Sequence, residues 1–374
     1  MTVTRIPLAI CLVALTACTP RGAVTVYPAA ADVGDVEEVF VATTRKFEVE
    51  KGTFGAMRSE TEVFGRFAIS VPPDRALGAI TFPGRSIKPD PRKHFLTVEQ
   101  ELHKDSNAFR KKLSTALKDL PPGRREAVIY VHGFNNTFAE GLYRIAQLSH
   151  DLDMPGVTLH YSWPSAGNPL GYVSDRDSAM FARDGLEQLM REAAAAGAER
   201  IVLVAHSMGS ALTMEALRQV AIRGDQQLKD KMAGVILISP DIDVDLFRMQ
   251  AKAYGALPQP FLIFGSDRDR LLTLSARITG QPQRLGNLSD INRVADLDVT
   301  FLDTQAFSAG AGHFNLGDSP ALLQLMQRIG EVDQAFGADQ TGRVGLLPGV
   351  VLTVQSATQI VLAPVAVVAE ELTR

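Results

Sequence analysis

A serine at a predicted strand-to-helix turn is the residue of this chain best placed to act as a nucleophile. Residues 201–205 form an apolar run with the length and β-branched content of a buried strand, and a helical pattern begins after Gly209. Ser207 lies between them, with small residues, Ala205 and Gly209, two positions before and after it. Such a turn lifts the Ser207 hydroxyl above the sheet edge and directs the Met208 N–H and the helix N-terminus at a developing oxyanion. The pattern therefore indicates nucleophilic acyl transfer at Ser207.

A second motif, upstream of the serine, predicts the other half of an oxyanion hole. Residues 127–131 read as a short apolar strand that ends in His132-Gly133-Phe134-Asn135. Gly133 allows the backbone to turn so that the N–H of Phe134, or that of Asn135, points at the substrate oxygen. We expect His132 to brace this loop and not to transfer protons.

An acid is expected after one of the later strands, where it would orient an imidazole and stabilise its protonated form. The strand predicted at 260–265 is followed by two aspartates that qualify on location, and the strand at 235–238 by two weaker candidates. The sequence pattern leaves the choice between the first two open. The four residues are Asp267, Asp269, Asp241 and Asp243.

The general base is predicted to be His313. The chain has seven histidines. His313 alone among them follows a final predicted strand, 299–302, and it lies after a glycine-rich loop, 308–312. A flexible loop of this kind can bring the imidazole within hydrogen-bonding reach of Ser207.

Several sequence blocks resemble one branch of the α/β-hydrolases, the uncharacterised bacterial esterase/lipase-like family known as domain-of-unknown-function family number nine hundred. The similarity runs from about Val39 to about Phe336 and is carried by VFVATTR, VHGFNNTF, YSWPS, VAHSMG, SPDID and SDRDRLL. The resemblance implies an α/β-hydrolase fold, with a mostly parallel central sheet and helices on both faces. In the family pattern the late acid is the aspartate three residues after a serine, here Ser266, which favours Asp269 over Asp267. The resemblance says little about substrate.

The N-terminus predicts a bacterial lipoprotein. One early cation, Arg5, is followed by an apolar run, 6–15, that is too short to span a membrane permanently. Leu15-Thr16-Ala17-Cys18 matches a lipobox, so we expect a signal peptide at 1–17 and a lipid on Cys18; an ordinary secretory signal is the alternative. Thr19, where an aspartate would signal retention, favours the outer membrane if the host has one. Cys11 would leave with the signal, so no disulfide is expected.

The rest of the chain is predicted to be one domain between a tether and a tail. We expect a lipidated tether at 18–36, a single hydrolase domain at 37–340 and an uncharged apolar tail at 341–374. Within the domain, 37–123 would extend the sheet, with strands at 39–43 and 66–71 and a helix from about Glu99 to Leu117, and 124–340 would form the catalytic core. The tail is expected to pack on the domain or to lie at the membrane surface, with a membrane-spanning segment as the alternative. The space between Pro240 and Pro260 allows a helix but no large cap domain.

Composition agrees with a globular enzyme. The 374 residues are 46% hydrophobic, and a net charge of −4 gives no electrostatic case for nucleic-acid binding. We expect no metal and no cofactor, because the sequence lacks the corresponding motifs and the mechanism needs neither. Aromatic residues of 163–172 are candidates to line an acyl or alcohol pocket, although Trp163 could equally pack in the core.

Two classes of function follow. The first is an envelope-anchored serine hydrolase of carboxylic esters, acting on small-molecule or lipid esters; a thioesterase or acyltransferase would use the same triad. The second is an envelope lipoprotein whose hydrolase fold serves as a binding or scaffolding module. The presence of nucleophile, base, acid and oxyanion loop in workable order favours the enzyme. The sequence does not indicate an oligomeric state.

Overall fold

A computed structural model describes most of the chain between the tether and the predicted base. The described residues are 21–83, 87–307, 317, 319–320, 323, 351–354 and 357–361. The predictions for Cys18 and for His313 concern residues outside these ranges.

The described strands form one sheet. They are β1 (Asp35–Glu48), β2 (Thr53–Val71), β3 (Leu96–His103), β4 (Glu126–Val131), β5 (Val157–Ser162), β6 (Arg200–His206), β7 (Met232–Ile238), β8 (Phe261–Gly265), β9 (Thr300–Asp303), β10 (Val351–Val354) and β11 (Ala357–Val361). Their order across the sheet is β10-β11-β9-β8-β7-β6-β4-β5-β1-β2-β3. From β11 to β1 each neighbouring pair is parallel, and the strands beyond, at both edges, pair antiparallel.

Helices connect the parallel strands. They are α1 (Ser106–Lys118), α2 (Phe138–Leu152), α3 (Tyr172–Phe181), α4 (Arg183–Ala196), α5 (Met208–Ile222), α6 (Gln226–Lys229), α7 (Val244–Tyr254) and α8 (Arg270–Ile278). Short 3-10 turns occupy Pro28–Asp32, Val49–Lys51, Leu285–Asn287, Ile291–Val294 and Gln305–Phe307. The only described helix between Pro240 and Pro260 is α7, in agreement with the expected lack of space for a cap domain there.

The sheet separates two apolar cores, because alternate residues of each strand face opposite sides. Ala127, Ile129 and Val131 of β4 belong to the core that includes α1, α4, α5 and α7, whereas Val128 and Tyr130 belong to the core that includes α2. A mostly parallel sheet covered by helices on both faces confirms the predicted fold class.

The N-terminal extension contributes β1, β2 and β3 to the sheet, and one of its elements differs from the sequence expectation. The helix expected from Glu99 begins only at Ser106, and Glu99 lies in β3, which pairs antiparallel with β2. The Asp105 carboxylate accepts a hydrogen bond from the Ala108 N–H and caps the helix. The expectation was wrong because pairing with a strand some 30 residues earlier decides the conformation of this stretch, and helical periodicity does not detect such pairing.

The described part of the expected tether lies on the domain. The Tyr27 N–H donates to the Thr97 carbonyl at 2.7 Å, and the Thr97 N–H donates to the Thr25 carbonyl at 2.9 Å. Ala30 is fully buried. The chain is therefore attached to the sheet from Thr25 onward. The division of the chain into tether, domain and tail remains a prediction.

Two segments of the C-terminal tail also belong to the sheet. Val351–Val354 and Ala357–Val361 form an antiparallel pair, and the second pairs parallel with β9 from Thr358 to Val361. Among the described residues, no helix is long and apolar enough to cross a membrane.

The strand order places the crossover of the sheet at the expected site. After β4 the chain moves to β5 on one side of it and then to β6 on the other. In open α/β sheets the carboxyl ends of such strands border the crevice in which ligands bind. The loop after β4 and the turn after β6 therefore meet at the centre of the sheet edge.

Candidate active site

Ser207 occupies a strained turn between β6 and α5. Its backbone has φ 51° and ψ −121°, a conformation that residues other than glycine rarely adopt. Main-chain hydrogen bonds hold the turn: the Ser207 N–H donates to the Ile238 carbonyl at 2.9 Å, and the Asp241 N–H donates to the Ser207 carbonyl at 3.1 Å. The serine is thus kept at the carboxyl end of a central strand by the neighbouring strand β7 and the loop that follows it.

Gly209 allows the helix after the serine to lie against the end of β4. A Cβ atom at this position would be 2.3 Å from the His132 carbonyl oxygen and 2.7 Å from that of Val131. Both atoms belong to the backbone, so a side chain would have to displace the strand. The small residue expected two positions after the serine is therefore a steric requirement of this turn.

The loop after β4 lies directly against the serine. A Cβ atom on Gly133 would be 3.0 Å from the Ser207 Cβ. The next residue is Phe134, and neither its N–H nor that of Met208 donates to another described residue. The Asn135 N–H, the alternative donor, is directed to the Asp175 carboxylate at 3.4 Å. The two N–H groups predicted to bind an oxyanion are therefore next to Ser207, and the third candidate is already bonded.

A buried arginine, to which no sequence motif assigned a role, holds the loop after β4. We call this loop, residues 132–136, the oxyanion loop. Arg45, just past the last β1 residue that pairs with β5, is 1% exposed. Its guanidinium donates to the carbonyls of Asn136 (2.9 Å) and Ser165 (3.0 Å) and to the Ser162 hydroxyl (2.9 Å). Burial lowers the pKa of Arg45 to about 9, an effect that Asp175 opposes. The trace of Arg45 in the sequence is a cation two residues after the apolar strand predicted at 39–43.

His132 braces the same loop, as expected. Its Nδ1 lies 2.9 Å from the Gly133 carbonyl oxygen and its Nε2 3.0 Å from that of Trp163. Burial and the nearby Arg45 hold the pKa of His132 well below its usual range, so the ring is neutral. The Trp163 indole donates to the His132 carbonyl at 2.7 Å and stacks on the imidazole. Trp163 is fully buried and packs in the core, which decides between its two interpretations.

The aspartates predicted after the late strands differ in burial and in partners. Asp269, after β8, is fully buried, and its Oδ1 accepts the Leu272 N–H at 2.9 Å at the start of α8. Asp267 is exposed and accepts a hydrogen bond from the Gln305 amide at 2.7 Å. Asp243 caps α7. Of the two acids after β8, only Asp269 combines burial with a fixed orientation.

Asp241, after β7, is held by a polar cluster of its own. Its Oδ1 accepts a hydrogen bond from the Ser275 hydroxyl at 2.5 Å and lies 3.0 Å from Arg284 Nε. Its Oδ2 accepts a hydrogen bond from the Tyr172 hydroxyl at 2.8 Å. Both oxygens of this buried carboxylate are therefore bonded within the cluster. Burial, with a contribution from Asp241, raises the pKa of Tyr172 to about 12, which keeps the phenol neutral.

One aromatic residue of the loop predicted to line a pocket contacts the oxyanion loop. The rings of Tyr172 and Phe134 pack edge to face with centroids 5.4 Å apart. On the other side of the loop, a cavity of about 520 Å³ is bordered by Asn135, His206, Tyr130, Ile80, Phe82 and Arg144. A volume of this size is in the range that accommodates small organic molecules.

The remaining site predictions fall on residues outside the described ranges. The predicted base, His313, follows β9 by ten residues, and β9 lies next to β8, which carries Asp269. Lipidation of Cys18 likewise concerns an undescribed residue. Within the described ranges, no group of three or more histidine, cysteine, aspartate or glutamate residues could hold a metal ion.

Comparison with known proteins identifies a family. The model of the family described as alpha/beta hydrolase of unknown function (DUF900) matches residues 105–328. No curated protein matches the sequence. Similar solved structures include an esterase from Rhizomucor miehei (12% identity, 83% of this chain and 87% of that chain, TM-score 0.39) and TT1662 from Thermus thermophilus (15% identity, 60% and 92%, TM-score 0.34). A third is esterase B from Lactobacillus rhamnosis (11% identity, 83% and 92%, TM-score 0.37).

Proposed function

We propose that this chain, which belongs to the alpha/beta hydrolase family of unknown function matched above, is a serine hydrolase of carboxylic esters with Ser207 as its nucleophile. The observation that carries the proposal is the strained backbone of Ser207 (φ 51°, ψ −121°) at the centre of the carboxyl edge of the sheet. A strained turn is retained where the surrounding structure requires it, and a nucleophilic serine is a known use of this turn.

The proposed reaction has two acyl-transfer steps. His313 accepts the proton of the Ser207 hydroxyl while the oxygen attacks the ester carbonyl carbon, and the N–H groups of Phe134 and Met208 stabilise the oxyanion. The tetrahedral intermediate collapses as the imidazolium gives its proton to the departing alcohol, which leaves an acyl-enzyme on Ser207. Water, deprotonated by His313, then attacks the acyl carbon, and the proton returns to the serine as the acid is released.

Asp269 is the proposed acid of the triad. It is buried at the end of β8, beside the strand that leads to His313. Asp241 is the less suitable candidate because Arg284, Tyr172 and Ser275 already occupy its oxygens. Asp267 is exposed, and water would weaken its interaction with an imidazolium.

The chain is also proposed to act in the bacterial cell envelope, attached to a membrane through a lipid on Cys18. In a host with two membranes, the proposed location is the outer membrane. The support for this part is the lipobox Leu15-Thr16-Ala17-Cys18 after a short apolar run. Two or three acyl chains on one cysteine are enough for stable attachment.

Ester turnover by matched serine variants tests the nucleophile. Ser207→Ala should reduce kcat/KM for short p-nitrophenyl esters by on the order of 10³ or more, because the acyl-enzyme cannot form. Ser210→Ala is the control: this buried hydroxyl lies one turn away and donates to the Ala205 carbonyl at 3.2 Å, so turnover should change only a few-fold. Full activity in a folded Ser207→Ala protein would exclude the proposal. Wild-type protein that turns over neither esters nor thioesters would support the scaffold alternative.

A second matched pair tests the acid. Asp269→Asn should lower kcat by on the order of 10³ with little change in melting temperature, because the imidazole loses the charge that stabilises its protonated form. Asp241→Asn should lower the melting temperature, since Arg284 would remain buried beside a neutral amide. If Asp241→Asn gave the larger loss of kcat at an unchanged melting temperature, Asp241 would be the acid.

A further inference from the structure

Arg21, the first described residue, is bound to the oxyanion loop. Its guanidinium donates to Asn135 through the side-chain oxygen at 2.8 Å and the carbonyl oxygen at 2.5 Å, and it also donates to the Gly167 carbonyl. The Glu140 carboxylate accepts two further hydrogen bonds from it, at 2.9 and 2.5 Å. Since Asn135 directly follows Phe134, the N-terminal segment is fixed at the catalytic edge of the sheet.

This attachment limits how far the catalytic edge can lie from a lipid on Cys18. Cys18 precedes Arg21 by three residues, and three fully extended residues span at most about 11 Å. A lipid at Cys18 would therefore hold the oxyanion loop close to the surface of the membrane. A flexible tether of nineteen residues, as expected from the sequence, would have left the orientation of the domain free.

The same edge carries exposed apolar side chains. Leu170, three residues after Gly167, is 92% exposed, and Leu274 on α8 is 53% exposed. The hydroxyls of Tyr172 and Ser275 lie 2.6 Å apart and both donate to the Asp241 carboxylate, which joins the two elements beside the site. We call the exposed apolar residues of these elements the rim; its members are Leu170, Val173, Leu271, Leu274 and Ile278.

The α8 part of the rim has the pattern of a helix that lies in a membrane interface. Leu271, Leu274 and Ile278 recur on one exposed helix face, whereas Leu272 and Ser275 on the other side are buried. The stretches that carry the rim also carry four exposed arginines whose side chains form no ion pair with a described residue: Arg176, Arg268, Arg270 and Arg277. The exposed acids of the same stretches are two, Asp177 and Asp267, so the exposed charge around the rim is positive. Apolar residues flanked by arginines are suited to an anionic lipid surface.

We propose that the rim docks on an anionic membrane surface, so that the catalytic edge faces the bilayer and the ester substrate is drawn from the lipid phase. This inference rests on the proposed function for its substrate and on Cys18 for the attachment. A bilayer is the occupant that explains both the short connection to the lipidated residue and the combination of apolar and cationic side chains around one edge.

Depth-dependent fluorescence quenching in proteoliposomes tests the orientation. The lipoprotein, with Leu274→Cys or Ile222→Cys labelled by an environment-sensitive thiol probe, is reconstituted in phosphatidylethanolamine–phosphatidylglycerol vesicles that contain doxyl-labelled lipid. Cys11 leaves with the signal and Cys18 carries the lipid, so the introduced cysteine is the only free thiol. Ile222 is the matched control, because it is 64% exposed but ends α5, the helix that leads away from the catalytic edge.

The probe at position 274 should be quenched at least several-fold more strongly than the probe at 222. Equal quenching at the two positions, or stronger quenching at 222, would overturn the proposed orientation.

A second arm compares hydrolysis of an ester lipid in the vesicles with hydrolysis of a soluble short-chain ester. Leu170→Asp combined with Leu274→Asp should lower the ratio of the two rates at least 10-fold, and Ile222→Asp should leave it unchanged; an unchanged ratio in the double variant would contradict the proposal. If the protein hydrolysed neither ester, the proposed function would fail while the quenching comparison still decided the orientation.

Discussion

The Ser207 turn and the oxyanion loop meet at one point of the sheet edge but are held in place by different means. Main-chain hydrogen bonds to β7 and to the loop after it hold the turn. The oxyanion loop is held by side chains, chiefly Arg45, Trp163 and Asp175, which are 31 to 91 residues from their partners in the loop. The geometry of Ser207 therefore follows from a local motif, whereas the geometry of the oxyanion loop depends on distant parts of the chain, including the N-terminal extension.

The largest effect is expected from a change at the main-chain turn. Gly209→Ala places a Cβ atom 2.3 Å from the His132 carbonyl oxygen, which belongs to the backbone and cannot rotate away. We expect a loss of unfolding free energy of about 4 kcal/mol or more, together with loss of activity. Denaturant unfolding measures this, with Gly234→Ala as the control, because the nearest atom to a Cβ there is 3.5 Å away. Equal stability of the two variants would show that the turn tolerates displacement.

A smaller loss of stability, with a specific effect on kcat, is expected at Arg45. Arg45→Met removes the donor to the carbonyls of Asn136, in the oxyanion loop, and of Ser165, in the loop after β5, which should cost on the order of 3 kcal/mol of unfolding free energy. The displaced loop should lower kcat roughly 10-fold to 100-fold with little change in KM, because the proposed role of the Phe134 N–H is to stabilise the transition state alone. Arg45→Lys should recover part of kcat.

The control for Arg45 is Arg66→Met in the same extension. Arg66 pairs with Glu38, Glu99 and Glu101 at the surface, so its loss should cost about 1 kcal/mol and leave kcat unchanged. An Arg45 variant that lost stability while keeping full kcat would contradict a positioning role.

Asp175→Asn should have a milder effect on the same loop. The Asp175 carboxylate accepts hydrogen bonds from the Ser165 hydroxyl at 2.6 Å and the Ala166 N–H at 2.7 Å, besides the one from Asn135. An amide keeps one acceptor oxygen, so we expect a loss of about 1–2 kcal/mol and a few-fold decrease in kcat. Asp105→Asn, at the start of α1, preserves its helix cap and should be nearly neutral in both assays. If the two variants behaved identically in urea unfolding and in kinetics, Asp175 would have no role in positioning the oxyanion loop.

The last effect is a dependence of stability on pH, and it concerns a buried histidine beside the oxyanion loop. Burial lowers the pKa of His160, which lies behind the oxyanion loop, to about 3. Below pH 6.5 the unfolded chain binds a proton at this position and the folded chain does not, so stability decreases as the pH falls from about 6.5 towards 3. The slope approaches about 1.4 kcal/mol per pH unit, because unfolding takes up one proton. His160→Asn should reduce the slope of unfolding free energy against pH by that amount, and an unchanged slope would mean that His160 is protonated in the folded protein.

The parts of the molecule that the sequence predicted are those set by short-range patterns. The strands at 127–131 and 201–205 and the position of the Ser207 turn follow from hydrophobic runs and small residues at fixed spacing, and the family resemblance implied the fold class. The start of α1 was misplaced because β3 forms only by pairing with β2. Arg45 and Asp175 were missed because their contacts join segments far apart in the chain, which no local pattern encodes. Asp241 qualified on location, and only its contacts with Arg284, Tyr172 and Ser275 distinguish it from Asp269.

The central claim, that Ser207 is a nucleophile activated by its position, is tested most directly by covalent labelling. A fluorophosphonate probe reacts with an activated serine hydroxyl and leaves a stable phosphonyl ester that mass spectrometry assigns to one residue. We predict a single adduct on the peptide that contains Ser207, formed in the wild-type protein and in Ser210→Ala but absent from Ser207→Ala. An adduct on another residue, or no adduct on a folded protein that hydrolyses esters, would contradict the account.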